Sequence, residues 1–196
     1  MFVLLNFTIP PYIQTQQMPV EKLYHISEEA VINIFEPRPS PSFFEQVQDN
    51  VVFAITEKLL HNYLLPRNCP RVSFYKGEGT SAKDIDRFFA HTSAEFVMAV
   101  ENAWLQKIAA TTIYCYELPA ETFTLLDECA GYYVSRKAIV PVSVRPVTNI
   151  LDELLYRNIE LRLVPSLWPL ADAVKASTLQ FSLIRMRNAM PARLDI

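Results

Sequence analysis

The chain has 196 residues, 18 basic and 21 acidic, for a formal net charge of −3. Apolar residues make up 51% and charged residues 20%, which is enough hydrophobic material for a buried core and too little charge for a disordered chain. The slightly acidic balance gives no electrostatic case for a nucleic-acid partner, and no apolar run approaches the roughly 20 residues that span a bilayer.

Three glycines stand against 14 prolines. Positive-φ turns are therefore few, connections are stiff, and a glycine-rich phosphate loop of the usual kind is missing. Cys69, Cys115 and Cys129 form no Cys-x-x-Cys pair, so a disulfide framework is disfavoured and a reducing, cytoplasmic setting fits. The apolar start Met1–Leu5 lacks a basic region and is broken by Asn6 and Pro10-Pro11, so it reads poorly as a signal peptide. Residues 1–19 read as an N-terminal extension, native or not, with Met18 just before the first clear strand. Residues 20–196 read as one α+β domain.

Residues 20–26 (VEKLYHI) alternate as a strand, and Ser27 before two acids suits a turn or helix cap. Prolines at 37, 39 and 41 make 36–41 a stiff surface loop. Residues 51–56 (VVFAIT) are the clearest buried strand, followed by a short helix over 57–64 that Pro66 stops. A turn at 67–70 leads into the alternating strand 71–76. Ser81 with Asp84 resembles a capping box and opens a helix to about His91. A strand at 95–100, a helix at 102–110 and a strongly β segment at 111–117 follow. Residues 122–126, 132–134 and 140–147 read as extended, the last at a sheet edge because of Pro141 and Pro146. Helices at 149–157 and 170–176 alternate with strands at 160–164 and 181–186. Lacking a regular βαβ rhythm, the pattern points to an α+β fold: a mixed, largely antiparallel sheet with short interspersed helices.

Four places carry candidate chemistry. Gly77–Ala82 matches G-x-G-x-x-A between a strand and a helix, but bulky Tyr75-Lys76 and acidic Glu78 argue for a simple turn. His25 closes a strand near Ser27, Phe53 and Arg38. An imidazole there can bond ribose hydroxyls, and a proline-held guanidinium suits a phosphate or carboxylate. Asp127-Glu128 precedes Tyr132-Tyr133, pairing carboxylates that can stabilise a cationic sugar with rings that can stack on a base. Arg185 and Arg187 alternate in the tail, open to an anion or to solvent. Ser166-Leu-Trp-Pro reads as a packed turn, and His61 and His91 have no metal-ligand spacing with any partner.

The segments Leu23-Tyr-His-Ile-Ser-Glu-Glu29, Phe35-Glu-Pro-Arg38, Tyr63-Leu-Leu-Pro-Arg-Asn-Cys-Pro-Arg-Val72, Gly131-Tyr-Tyr-Val-Ser135 and Ser182-Leu-Ile-Arg-Met-Arg-Asn188 resemble a bacterial family of uncharacterised proteins, from about residue 20 onward. More loosely, a strand ending Leu-Tyr-His-x-Ser, a proline-arginine loop and a Val-Phe-Ala-x-Thr strand resemble the opening of ADP-ribosyltransferase-like domains. That resemblance implies NAD as cofactor. His25 would contact its ribose, and Phe53, where tyrosine is usual, or Tyr133 would stack on nicotinamide. Glu128 would be the carboxylate that orients the ribose, with Ser27 and Arg38 beside the dinucleotide. The alternative is a non-catalytic ligand- or protein-binding domain on the same scaffold, using Tyr132-Tyr133 and the proline-rich loop as its surface.

Overall fold

The computed structural model describes residues 22–40, 46–128 and 130–191. The expected N-terminal extension at 1–19 and Cys129 lie outside the described residues. The strands fall into two sheets. The larger is antiparallel and contains β1 (Leu23–Ser27), β2 (Val52–Thr56), β5 (Ile113–Leu118), β6 (Thr124–Asp127), β7 (Tyr132–Ser135) and β8 (Ser143–Val147), in the order β6-β7-β2-β1-β5-β8. The smaller has the order β10-β3-β4-β9, from β3 (Arg71–Tyr75), β4 (Phe96–Glu101), β9 (Ile159–Val164) and β10 (Gln180–Ile184). Only its β4–β9 pairing is parallel.

Burial explains this layering. In β4, Met98 and Val100 face a core shared with Ile55 of β2, Ile108 of α2 (Leu105–Ala110), Ile113 of β5 and Leu154 of α3 (Ile150–Tyr156). Val97 and Ala99 face a second core under α1 (Ala82–Phe89) and α4 (Trp168–Lys175). A strand covered on both faces reads as a continuous apolar run, as FVMAVE does. The outer face of the large sheet carries Leu23, Val52, Ala54, Tyr116 and Leu118, roofed by Phe35 and Ile139 from loops. Those two residues bridge antiparallel to each other, which ties the proline-rich loop down. β8, with Pro146, lies at the sheet edge, where a missing donor costs no ladder bond.

The 57–64 segment differs from the helix its sequence suggests. Glu57–Tyr63 is a seven-residue 3₁₀ helix, and its Thr56 cap makes no side-chain bond to the first turn. Burial of Leu59 and Leu60 holds it, rather than local propensity. The capped helix at Ser81 is present as expected: Ser81 Oγ accepts the Asp84 N–H at 3.2 Å. Ser81→Ala should cost about 1 kcal/mol and lower the melting temperature by roughly 2–4 °C in a thermal scan. An unchanged midpoint would mean that the cap is redundant with Thr178, whose N–H and hydroxyl also donate to the Asp84 carboxylate.

Candidate functional site

β1 is paired unequally on its two sides. It pairs with β5 over five residues, from Leu23 to Ser27. It pairs with β2 only through Leu23 and Tyr24. Beyond Tyr24 the two strands part and leave a fork in the sheet. Two contacts close it. The His25 side chain reaches across, with Nδ1 2.9 Å from the Phe53 carbonyl. Further along, Arg38 and Val51 exchange two backbone hydrogen bonds of 2.9–3.0 Å.

The fork therefore brings His25, Phe53 and Arg38, distant in sequence, onto neighbouring backbone positions. The His25 ring packs against Phe35 at 4.8 Å between centroids. Burial, then the positive charges of Arg67 and Arg38, hold its pKa below the ordinary histidine value. The imidazole is thus neutral near pH 7. Its Nδ1–H donates to Phe53, and Nε2 is an acceptor with no partner among the described residues. Arg67 sits in the turn after the 3₁₀ helix. Its backbone N–H donates to Glu28 Oε1 at 2.9 Å, docking that turn against the end of β1.

On the inner side of the fork lies an aromatic group. Phe53 meets Tyr132 edge-on, and the Tyr132 and Tyr63 hydroxyls are hydrogen-bonded to each other. The Arg71 guanidinium stands 5.6 Å over the Tyr63 ring. Burial pushes the Tyr63 pKa well up, so both its hydroxyl and its proton persist at neutral pH. Tyr133, one residue on, points to the opposite face of the sheet and packs with the Leu23–Phe35 group, on the same side as His25.

The remaining expected residues are placed as follows. Ser27 Oγ accepts the Glu29 N–H at 3.1 Å and shapes the turn leaving β1. Glu128 is exposed on the turn before β7. Its carbonyl accepts the Gly131 N–H, and the Gly131 carbonyl meets Thr56 at the far end of β2. Some 17 Å of strand, at about 3.4 Å per residue, separates Thr56 from Val51 and Arg38. The Gly77–Ala82 segment is a turn in which Thr80 Oγ1 accepts the Gly77 N–H. Asp84 and Thr178 already satisfy the helix start there.

A separate depression of about 360 Å³ opens beside α3, lined by Tyr24, Glu57, Cys115, Glu117, Arg145, Glu153 and neighbours. Its cations are spent, because Glu153 takes two bonds from Arg145 and one from Arg157. Cys115 is no nucleophile there, since burial pushes its thiol up to about 11. Among the described residues no group of three or more His, Cys, Asp or Glu is placed to hold a metal, and no helix is long and apolar enough to cross a membrane.

By contrast, Arg38, Arg67, Arg71 and Arg185 have no ion pair among the described residues. The sequence reads 57–64 as a short helix, 67–70 as a turn and 71–76 as a strand, and none of these patterns marks Tyr63, Arg67 or Arg71 as a site residue. The available signal was Pro66-Arg-Asn-Cys-Pro-Arg71, two arginines held by two prolines.

No curated protein and no solved structure matches the chain. The model of a family of unknown function (DUF6886) matches residues 24–189 and so spans both sheets and the fork, and the chain belongs to that family.

Proposed function

We propose that the fork between β1 and β2 binds an NAD-class dinucleotide and that the domain is an ADP-ribosyltransferase-like enzyme. One observation carries the reading. A neutral imidazole is fixed through Nδ1 to the Phe53 carbonyl, within the field of two guanidiniums, Arg38 and Arg67, that form no ion pair among the described residues. The Nε2 acceptor suits a ribose hydroxyl, and the two cations suit the pyrophosphate. Phe53 or Tyr133, one on each face of the sheet, would stack on nicotinamide.

In such a reaction the bond between ribose C1′ and the nicotinamide nitrogen breaks. Nicotinamide leaves with the electron pair, and positive charge develops on the ribose. A carboxylate, Glu128 in this reading, would stabilise that charge. A second reading, non-catalytic binding of a small ligand on the same scaffold, is favoured by the length of β2 that separates the Glu128 turn from Arg38.

Calorimetry with NAD tests binding. The wild type should bind, and Arg38→Ala should weaken affinity roughly ten- to a hundredfold, as expected for losing a charge-assisted contact. Lys175→Ala, whose ammonium is paired with Asp172 on α4, should bind like wild type. Absence of binding heat from the wild type removes the nucleotide reading. Nicotinamide release then separates enzyme from binder. Glu128→Gln should lose turnover and keep affinity, whereas equal turnover in both proteins excludes a role for that carboxylate.

A further inference from the structure

The depression beside α3 holds about 360 Å³, within the range of small-molecule sites. Strands β1, β5 and β8 line it together with the 3₁₀ helix and α3. Its charges do not cancel where they stand. At α3, Glu153 accepts two bonds from Arg145 and one from Arg157. One carboxylate thus engages both guanidiniums but balances only one of their two charges. Arg157 gives it Nε alone, at 2.9 Å, and its terminal nitrogens have no partner among the described residues.

At the 3₁₀ helix the surplus is negative. Glu117 is answered by Lys22 at 3.2 Å. Glu57, at the start of that helix, has no ion pair among the described residues. One cavity therefore carries an unbalanced positive charge on one element and an unbalanced negative charge on another. A simple anion would meet the field of Glu57, and a simple cation that of the arginines. A ligand bearing both charges matches both surpluses, which is electrostatic complementarity within one small site. The remaining lining includes the Tyr24 ring, which can take an ammonium on its face, and the apolar side chain of Leu60.

We propose that this depression binds a small zwitterion, an amino acid with a short aliphatic side chain. Its ammonium lies at Glu57 and the Tyr24 ring, its carboxylate at the terminal nitrogens of Arg157, and its side chain against Leu60. A planar guanidinium with free terminal N–H groups suits a carboxylate. The site does not depend on the fork. Tyr24 packs against the inner core and His25 against Phe35 on the other face of β1, so the two sites lie on opposite sides of the sheet.

An NMR titration of the full chain with L-leucine tests it, beside two analogues that each lack one charge. 3-Methylbutylamine is leucine without the carboxylate, and 4-methylpentanoate is leucine without the ammonium. The wild type should bind leucine with a dissociation constant on the order of 1 mM or below, at least about tenfold more tightly than either analogue. Glu57 is exposed and makes no bond, so Glu57→Gln leaves the fold intact. It should weaken leucine and 3-methylbutylamine about five- to tenfold and leave 4-methylpentanoate within about twofold. Arg157→Gln, in which Arg145 still holds Glu153, should show the converse: leucine and 4-methylpentanoate weakened, 3-methylbutylamine spared.

This crossed pattern separates contact from damage, because a variant with a distorted depression would lose both analogues together. Three results overturn the site: no leucine binding by the wild type, an analogue that binds as tightly as leucine, or unchanged leucine affinity in Glu57→Gln.

Discussion

Between about pH 7 and pH 4 the chain should lose on the order of 3 kcal/mol of stability through His61 alone. His61 is 3% exposed, its ring lies 4.4 Å from that of Phe96, and it bonds the Lys58 backbone. Burial pulls its pKa down to about 4 from an ordinary 6.5, with the charge of Arg157 acting in the same direction. In that window the unfolded chain binds the proton and the native chain does not. Stability is therefore fully present above pH 6.5 and falls as the pH drops toward 4.

His25, also held below its ordinary value, adds in the same direction. The carboxylates act lower on the scale. Burial pushes Glu153 upward, but the hydrogen bonds from Arg145 and Arg157 outweigh it and hold the group below 4.5, so its contribution is lost only beneath that value. Urea unfolding at several pH values between about 5 and 7 isolates the histidines. His61→Phe, which keeps a ring against Phe96, should remove most of the slope there. A variant that retains the wild-type slope would assign the acid sensitivity to other groups.

Gly131→Ala should cost about 2–4 kcal/mol, measured as a lower urea midpoint at an unchanged slope. Two effects add. The residue has φ 65°, which alanine adopts only under strain. An added Cβ would lie 2.8 Å from Thr56 Oγ1 and 3.0 Å from Leu59 Cδ1, and both belong to packed elements. The consequence reaches the site, because Gly131 leads directly into Tyr132 and its carbonyl accepts the Thr56 N–H at 3.1 Å. A shift here moves the Tyr132 hydroxyl away from Tyr63. Gly79 is the control: nothing lies within 4 Å of a Cβ there, so Gly79→Ala should stay within about 0.5 kcal/mol of wild type. Equal midpoints for the two variants would mean that the turn before β7 relaxes without loss.

Local pattern alone marked most of the strands, the capped start of α1 and the edge position of β8. These depend on side-chain period, on a hydroxyl three residues from the N–H it accepts, and on proline's missing donor, all short-range properties written in nearby residues. The 3₁₀ form of Glu57–Tyr63 was not legible, because burial of Leu59 and Leu60 decides it. Nor was the division into two sheets, since pairing β3 with β10 joins residues more than a hundred positions apart.

The candidate site divides along the same line. Residue type and resemblance single out His25, Arg38 and Phe53, for an imidazole at a strand end, a guanidinium between prolines and a half-buried strand phenylalanine are recognisable one at a time. Their convergence was not, because it depends on β1 leaving β2 after Tyr24 while staying with β5. Arg71 and Tyr63 looked like ordinary members of a strand and a short helix, and Arg185 like a tail cation. Only the tertiary fold sets the buried Arg71 guanidinium over the Tyr63 ring. A single residue's sequence neighbours do not report which charges it will face once distant strands have paired.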